Sequence, residues 1–503
     1  MRRVAQRLWD PSRQDVEIVE THISALAFDG DLVHKRKKRV RFAFIDLSTP
    51  EQRELMCRRE VGLNRRFSPD VYLGVEEIVD DAGIVVDHAV LMRRMPAQRR
   101  LAAMVRQHRD VSQCLRRVAR AMAACHAEAA RGDEISAVAT PEALRDLWRR
   151  SLQEMTQFVP HPLDPSAAGE VGELADRYLA GRSPLLAERI LRGRIVDGHG
   201  DLLADDIFCL DDGPRILDAL EFDDRLRWGD VVSDVGFLAM DLERLGRLDL
   251  ATAFLDCYRE YSAETHPASL EHHYIAYRAL IRSKVSCLRG GADVDARAYL
   301  AQCRHHLREA RVRLVIIGGL PGTGKSTLAT GLGDSFEWPV LRSDEIRKQL
   351  AGLDPLERAP APYGDGIYSA ASTGATYDAL LSQARLLLGR GESVIVDASF
   401  STARWRAAAA ALAANTAADL IELRCLLPVG VAAARLERRA AAGRDASDAT
   451  AAIAAEMTHG FADWPSAATV DTLPAVDDVL PAVLERIAAP HGRPKPPLVR
   501  SAP

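Results

Sequence analysis

The sequence predicts two folded parts: a two-lobed α+β part over about the first 310 residues, then an α/β part built on a parallel sheet from residue 312. Three observations predict this. Residues 15–95 alternate short apolar runs with turns, as in LVHKRKKRVRFAFIDL, which is the period of antiparallel strands, with one helix near 51–66. Residues 98–185 change to helical periodicity and are rich in Ala, Arg and Leu. From 312 onward, short apolar runs alternate with helical stretches, as a parallel sheet requires, because each crossover needs a helix.

Taken in order, 1–97 is a small β-rich lobe and 98–310 a larger helical lobe, interrupted by a strand–loop–strand stretch at 194–218. The segment 312–488 has expected strands near 313–318, 339–343, 393–398, 419–427 and 468–471. Helices are expected to start near 325, 345, 371, 402 and 429. Residues 352–368 read as a Pro- and Gly-rich loop, and the Pro-rich tail 489–503 reads as disordered. There are no internal repeats.

A chain of 503 residues is too long for one ordinary core, and 47% apolar with 27% charged residues is a globular composition. The formal net charge of −5 and the lack of interleaved aromatics argue against a dedicated nucleic-acid binder. No apolar run reaches the roughly 18 residues of a membrane span. The start, MRRVAQRLWDPSRQD, turns acidic before any apolar stretch, so no secretory signal is expected. Eight scattered cysteines without a Cys-x-x-Cys pair read as reduced thiols of a cytoplasmic protein, with no zinc site implied.

The most specific motif is the run Gly319, Leu320, Pro321, Gly322, Thr323, Gly324, Lys325, Ser326, Thr327, between an expected strand and an expected helix. Glycines let backbone N–H groups turn inward around phosphate oxygens, at a helix N-terminus whose dipole favours anions. Lys325 is placed to neutralise the terminal phosphates of ATP or GTP, and Ser326 to offer a hydroxyl to Mg²⁺. Asp344 and Arg347 follow the next strand, one helical turn apart. A carboxylate there can take the proton of an attacking hydroxyl, and the arginine can grip an acceptor; a helix-capping aspartate with a solvated arginine is the plainer alternative. Asp397 ends the strand SVIVDA and suits the Mg²⁺ shell, while Ala398 stands where ring-forming ATPases carry a water-activating Glu. Arg435, Arg438, Arg439 and Arg444 lie on a helix running into a polar loop, where arginines can close over a transferring phosphoryl group. Of these, Arg439 and Arg444 are taken as the candidates, and the others as a solvated basic face.

The stretch 312–488 resembles the small P-loop kinases grouped with polynucleotide 5′-kinase, zeta toxin, chloramphenicol phosphotransferase and gluconate kinase. The resemblance rests on GGLPGTGKST, the Asp344–Arg347 pair, Asp397 in VIVDASF and the lid arginines. It implies phosphoryl transfer to a hydroxyl with Asp344 as base, and leaves the acceptor open.

Upstream, DGHGDLLADDIFCLDDGPRILDALEFDD resembles the catalytic loop of aminoglycoside phosphotransferases and related kinase-like enzymes. His199, Gly200 and Asp201 match its His-Gly-Asp, Asp206 stands where that family has Asn, and Asp218 matches its metal-binding aspartate. The resemblance implies a protein-kinase-like two-lobed fold, with Asp201 as base and Asp206 and Asp218 on Mg²⁺. HKRKKRV resembles the strand that supplies the phosphate-binding lysine. Lys35 and Lys37 share a face of it, Lys35 being favoured, and Glu60 is the expected partner. Asp230 and Asp234 are expected to stabilise the catalytic loop. The whole chain resembles bacterial bifunctional fusions of an aminoglycoside-phosphotransferase-like part with an ATP-binding part. The expectation is an ATP-dependent kinase acting on small-molecule hydroxyls. Two alternatives stay open: a P-loop enzyme regulated by a non-catalytic N-terminal module, and a P-loop ATPase that phosphorylates nothing.

Overall fold

A computed structural model describes residues 2–10, 16–21, 23–42, 45–354, 357, 359, 364–442 and 447–489. The tail and part of the 352–368 loop therefore lie outside the described residues. The chain forms two compact units. The first takes the residues up to Gly169 with Leu186–His266 and Glu271–His306; the second takes Glu170–Leu185, Pro267–Leu270 and the chain from Leu307.

The first unit has the two-lobed kinase-like architecture expected. Its sheet runs in the order Arg3–Ala5, Tyr72–Val79, Val85–Arg93, Leu32–Lys37, Ser24–Asp29, Glu17–Glu20. Every pairing is antiparallel except that of Arg3–Ala5 with Tyr72–Val79, a parallel edge strand the sequence did not announce. Helix Pro50–Asn64 starts on a capping box: Thr49 Oγ1 accepts from Gln52 N at 3.3 Å, and Gln52 Oε1 accepts from Thr49 N at 3.1 Å. The proline at its first position has no N–H to leave unpaired. This start sets the helix so that Glu60, about three turns on, is fully buried beneath the lysine strand Leu32–Lys37.

In the larger lobe, strand Ile195–Asp197 pairs antiparallel with Trp228–Asp230, and Ile207–Cys209 with Pro214–Ile216. Asp218 falls just past the latter strand rather than within it, at φ 66°. Helices Val231–Arg244, Leu248–Ser262, Ala268–Arg289 and Asp293–Glu309 complete the lobe.

The second unit holds a five-stranded, wholly parallel sheet in the order Val340–Arg342, Val394–Asp397, Arg313–Gly318, Asp419–Leu426, Ala468–Asp471. The central strand is apolar from Leu314 to Ile317 because it is covered on both faces. Leu314 and Ile316 pack toward helices Ala370–Gly389 and Ala403–Asn415, and Val315 and Ile317 toward helix Lys325–Phe336. Helices Ala451–Gly460 and Val476–Ala488 are additions to the sequence reading.

Two differences concern pairings remote in sequence. All eight thiols were expected free, yet Cys114 on helix Ser112–Glu128 is disulfide-bonded to Cys209. The partners are 95 residues apart, so no local spacing announces the bond. Residues 170–185, expected with the helical lobe, pack with the parallel-sheet unit. Arg182, fully buried, donates to Leu388 O and, at 2.9 Å, to Thr416 O; Arg177 pairs with Asp419 at 2.6 Å. Among the described residues, no helix is long and apolar enough to cross a membrane.

Candidate active sites

In the second unit, the central strand leads into Gly319 (φ 140°), and the loop turns through Gly322 (φ 80°) to Gly324 (φ 83°), which caps helix Lys325–Phe336. Glycine is forced at the first two positions. A Cβ on Gly319 would sit 2.6 Å from Cys425 O, and one on Gly322 2.7 Å from Ala432 O. Leu320 and Pro321 complete the turn. Lys325 Nζ folds back to Leu320 O at 3.0 Å, as does Thr323 Oγ1 at 2.7 Å, and Thr472 Oγ1 donates to Thr323 O at 2.7 Å. The loop is thereby held by side-chain bonds to its carbonyls, ahead of an exposed Thr327.

Ser326 Oγ donates to Asp397 Oδ2 at 2.5 Å, because parallel register sets Asp397 beside Ile317 at the strand ends. Burial pushes the Asp397 carboxyl up, and Lys325 and Ser326 only partly offset it. Asp344, half-buried on the first turn of helix Ser343–Leu350, adds to that upward push, which places its charge near Asp397. Arg347 donates to Ile367 O at 3.0 Å and Thr373 Oγ1 at 3.1 Å and lies 4.9 Å from the Tyr368 ring centre; its buried Nε has no partner.

The lid arginines sort differently from expectation. Arg439 donates to Ala449 O at 3.3 Å, ten residues further along the chain, and Arg444 lies outside the described residues. Arg435, passed over in the sequence, bonds Thr472 O at 2.9 Å and stands 3.4 Å from where a Gly324 Cβ would be. Among the described residues, this arginine stands against the phosphate loop.

In the first unit, Lys35 Nζ lies 2.8 Å from Glu60 Oε1 and 2.6 Å from Asp218 Oδ1. Lys37 Nζ lies 2.6 Å from the other oxygen of Glu60 and also pairs with Glu221. The two lysines thus share one carboxylate but differ in access: Lys37 is sealed, while Lys35 reaches the residue past the hairpin. Burial works against the charge of Lys35, but Asp218 and Glu60 outweigh it and hold its pKa well above the ordinary value. Asp218 is correspondingly held down, first of all by Lys35.

Asp234 organises the loop before Asp201. Its two oxygens accept the backbone N–H groups of His199 and Gly200, each at 2.8 Å, and one also takes His126 Nε2 at 2.9 Å. Burial holds His199 down to about 4, so it is neutral and bonds Leu217 O at 3.1 Å. Asp230 serves elsewhere, capping its helix through Val232 N at 2.9 Å and pairing with Arg189 at 2.6 Å. Burial pushes the Asp201 carboxyl up to about 6, with Arg282 pulling the other way. Asp206 is pushed well up by burial and by Asp218 and Asp201.

Both centres suit a hard divalent cation held partly by phosphate and water. In the second unit Ser326 Oγ and Asp397 could supply donors; in the first, Asp206 and Asp218 could. Among the described residues, no cluster of three or more His, Cys, Asp or Glu side chains could hold a metal by itself. The upward push on Asp397 and Asp206 comes first from burial, with neighbouring carboxylates adding to it.

The profile of a family described as AAA domain matches residues 314–463, spanning the phosphate loop, Asp344 and Asp397. Uncharacterized protein Rv2004c of Mycobacterium tuberculosis (strain ATCC 25618 / H37Rv) is 40% identical over 462 residues, covering 91% of this chain and 92% of the relative. The chain belongs to the Rv2004c family. Among solved structures, a choline/ethanolamine kinase family protein from Mesorhizobium loti matches 59% of the chain and 92% of its own length, at 16% identity and TM-score 0.37. A gluconokinase from Sinorhizobium meliloti 1021 matches 35% of the chain and 93% of its own, at 18% identity and TM-score 0.26. Within this Rv2004c-family chain, sequence reasoning missed Glu221 and His126, and named Arg435 without singling it out from its helix neighbours. Glu221 alone had a local signal, as the acid three residues after Asp218.

Proposed function

We propose that the chain is an ATP-dependent phosphotransferase with two catalytic modules, each acting on a small-molecule hydroxyl. The observation that carries this for the second unit is the 2.5 Å bond between Ser326 and Asp397 at the mouth of a glycine-walled anion nest. That bond pre-assembles two hard oxygen donors beside backbone N–H groups that suit phosphate oxygens. Ser326 and Asp397 would hold Mg²⁺ bound with ATP, which would supply neutralisation of the charge developing in transfer. The chain's own residues do the rest. Lys325 leaves Leu320 O for phosphate, Arg435 flanks the loop, and Asp344 takes the acceptor's proton. Ala398 after Asp397 supports transfer to an acceptor over water-activating ATPase chemistry.

In the first unit Lys35, held by Glu60, meets the phosphates, Asp218 and Asp206 hold the metal, and Asp201 receives the proton. A carboxyl with a pKa near 6 suits a general base at neutral pH. Asp206 in place of Asn supports a second reading, in which this unit binds nucleotide without turnover. Labelled γ-phosphate transfer by the whole chain separates the readings. Under the first, Lys325→Ala and Asp201→Asn each abolish a different phosphorylated product. Loss of all transfer in Lys325→Ala, with none lost in Asp201→Asn, leaves only the second.

A further inference from the structure

Helix Ala268–Arg289 carries Arg278 and Arg282 four residues apart, hence on one face. Arg278 donates from Nε to Ser233 O at 3.0 Å and lies 4.7 Å from the Phe237 ring centre. Ser233 precedes Asp234, the carboxylate that holds the amides of His199 and Gly200, so this guanidinium stands beside the Asp201 loop. Arg282 lies 6.0 Å from the Tyr299 ring centre and hydrogen-bonds the Tyr299 side chain, while its buried Nε has no partner.

Both arginines pull on the Asp201 charge, yet among the described residues neither is at contact distance from a carboxylate. Lys35 and Lys37, by contrast, are so paired at 2.6 Å, and Arg227 with Asp197 at 2.8 Å. The nearby acid Asp241 spends an oxygen on Ala204 N at 2.9 Å. Two half-buried guanidiniums held off their counter-charges, one with an orphaned Nε donor, are groups suited to receive an anion next to the proposed base.

We propose that the acceptor of the first unit is a hydroxyl compound bearing an anionic group, carboxylate or phosphate, gripped by Arg278 and Arg282. This rests on the reading of Asp201 as the base of that unit. The anionic group docks on the arginines, and the hydroxyl proton passes to Asp201 as the hydroxyl oxygen bonds the γ-phosphorus and ADP leaves. A cationic acceptor would meet like charge, and a neutral one would leave the Arg282 Nε unanswered.

The test uses the full chain carrying Lys325→Ala, so that the P-loop unit is silent, and four matched probes: glycerol, ethanolamine, glycerate and glycerol 3-phosphate. Calorimetric binding and ADP release are both measured at fixed ionic strength. Glycerate or glycerol 3-phosphate is expected to bind and turn over best, and which of them wins distinguishes carboxylate from phosphate. Arg282→Gln and Arg278→Gln are expected to weaken the anion at least tenfold with the KM for ATP unchanged, and Arg282→Lys to recover part of the loss. Equal or better response to ethanolamine or glycerol, no anion binding, or indifference to the Gln changes overturns the proposal. Arginine-dependent anion binding without ADP release supports the receptor and instead sinks the catalytic reading of Asp201.

Discussion

Asp201 serves two ends that oppose each other. Burial raises its carboxyl from an ordinary 3.8 to about 6, which helps it accept a proton near neutrality but penalises the folded state once it is ionised. The sign follows from proton counts. Between pH 4 and 6 the folded chain keeps a proton that the unfolded chain has lost, so stability falls with rising pH across that window. Asp201→Asn is therefore expected to unfold at a higher temperature than wild type above pH 6, with the gap closing below pH 4. Its transfer rate in the first unit should fall about 10²–10⁴-fold. Calorimetric scans of nucleotide-free protein over that pH range check the first outcome, and product assays the second. Glu60 poses the opposite case, one sealed carboxylate serving two lysines. Glu60→Gln leaves Lys35 and Lys37 short of a counter-charge and is expected to cost about 3–5 kcal/mol in denaturant titrations, the usual scale for a broken buried ion pair.

At the scale of elements, the phosphate loop shows why some of the site could be read from sequence. The run from Gly319 to Thr327 is contiguous, and its strand before and helix after are local patterns, so one short window holds the whole argument. Within it the glycines are unequal. Gly322 combines a left-handed φ with a carbonyl 2.7 Å from a would-be Cβ, while the nearest atoms to a Cβ on Gly324 are 3.4 Å away. Gly322→Ala should abolish nucleotide binding, measured by fluorescent-nucleotide titration. Gly324→Ala should cost about 1–2 kcal/mol of backbone strain alone and keep measurable affinity. Other elements escaped the same reading for physical reasons. Lys35 and Lys37 share a strand face, and only the fold shows that one reaches Asp218 while the other is sealed against Glu221. Arg435 was indistinguishable from Arg438 and Arg439 by helical spacing, because a lid arginine is defined by what lies across from it.

Over the whole molecule, the least legible feature is the passage of the middle of the chain into the second unit. Periodicity marks Pro165–Gly181 as a helix but says nothing about a partner more than two hundred residues away. That partner is set by Arg182. Its guanidinium joins carbonyls near the C-terminal ends of helices Ala370–Gly389 and Ala403–Asn415, where a cation also answers the helix dipoles. Burial lowers its pKa only to about 10, so it keeps its charge at neutral pH. Two carbonyls lose their donor in Arg182→Ala, at about 1–3 kcal/mol each when buried. Arg182→Lys cannot bridge both, because one ammonium lacks the planar fork that reaches two acceptors at once. Both variants are expected to lower the unfolding temperature of the second unit, with alanine the worse. Saturating ATP should recover part of the loss, since a ligand that binds only the folded state stabilises it by mass action. A chain begun at Leu307 lacks residues 170–185 altogether and should unfold at a lower temperature than the second unit does in the full chain, which differential scanning calorimetry with and without nucleotide resolves.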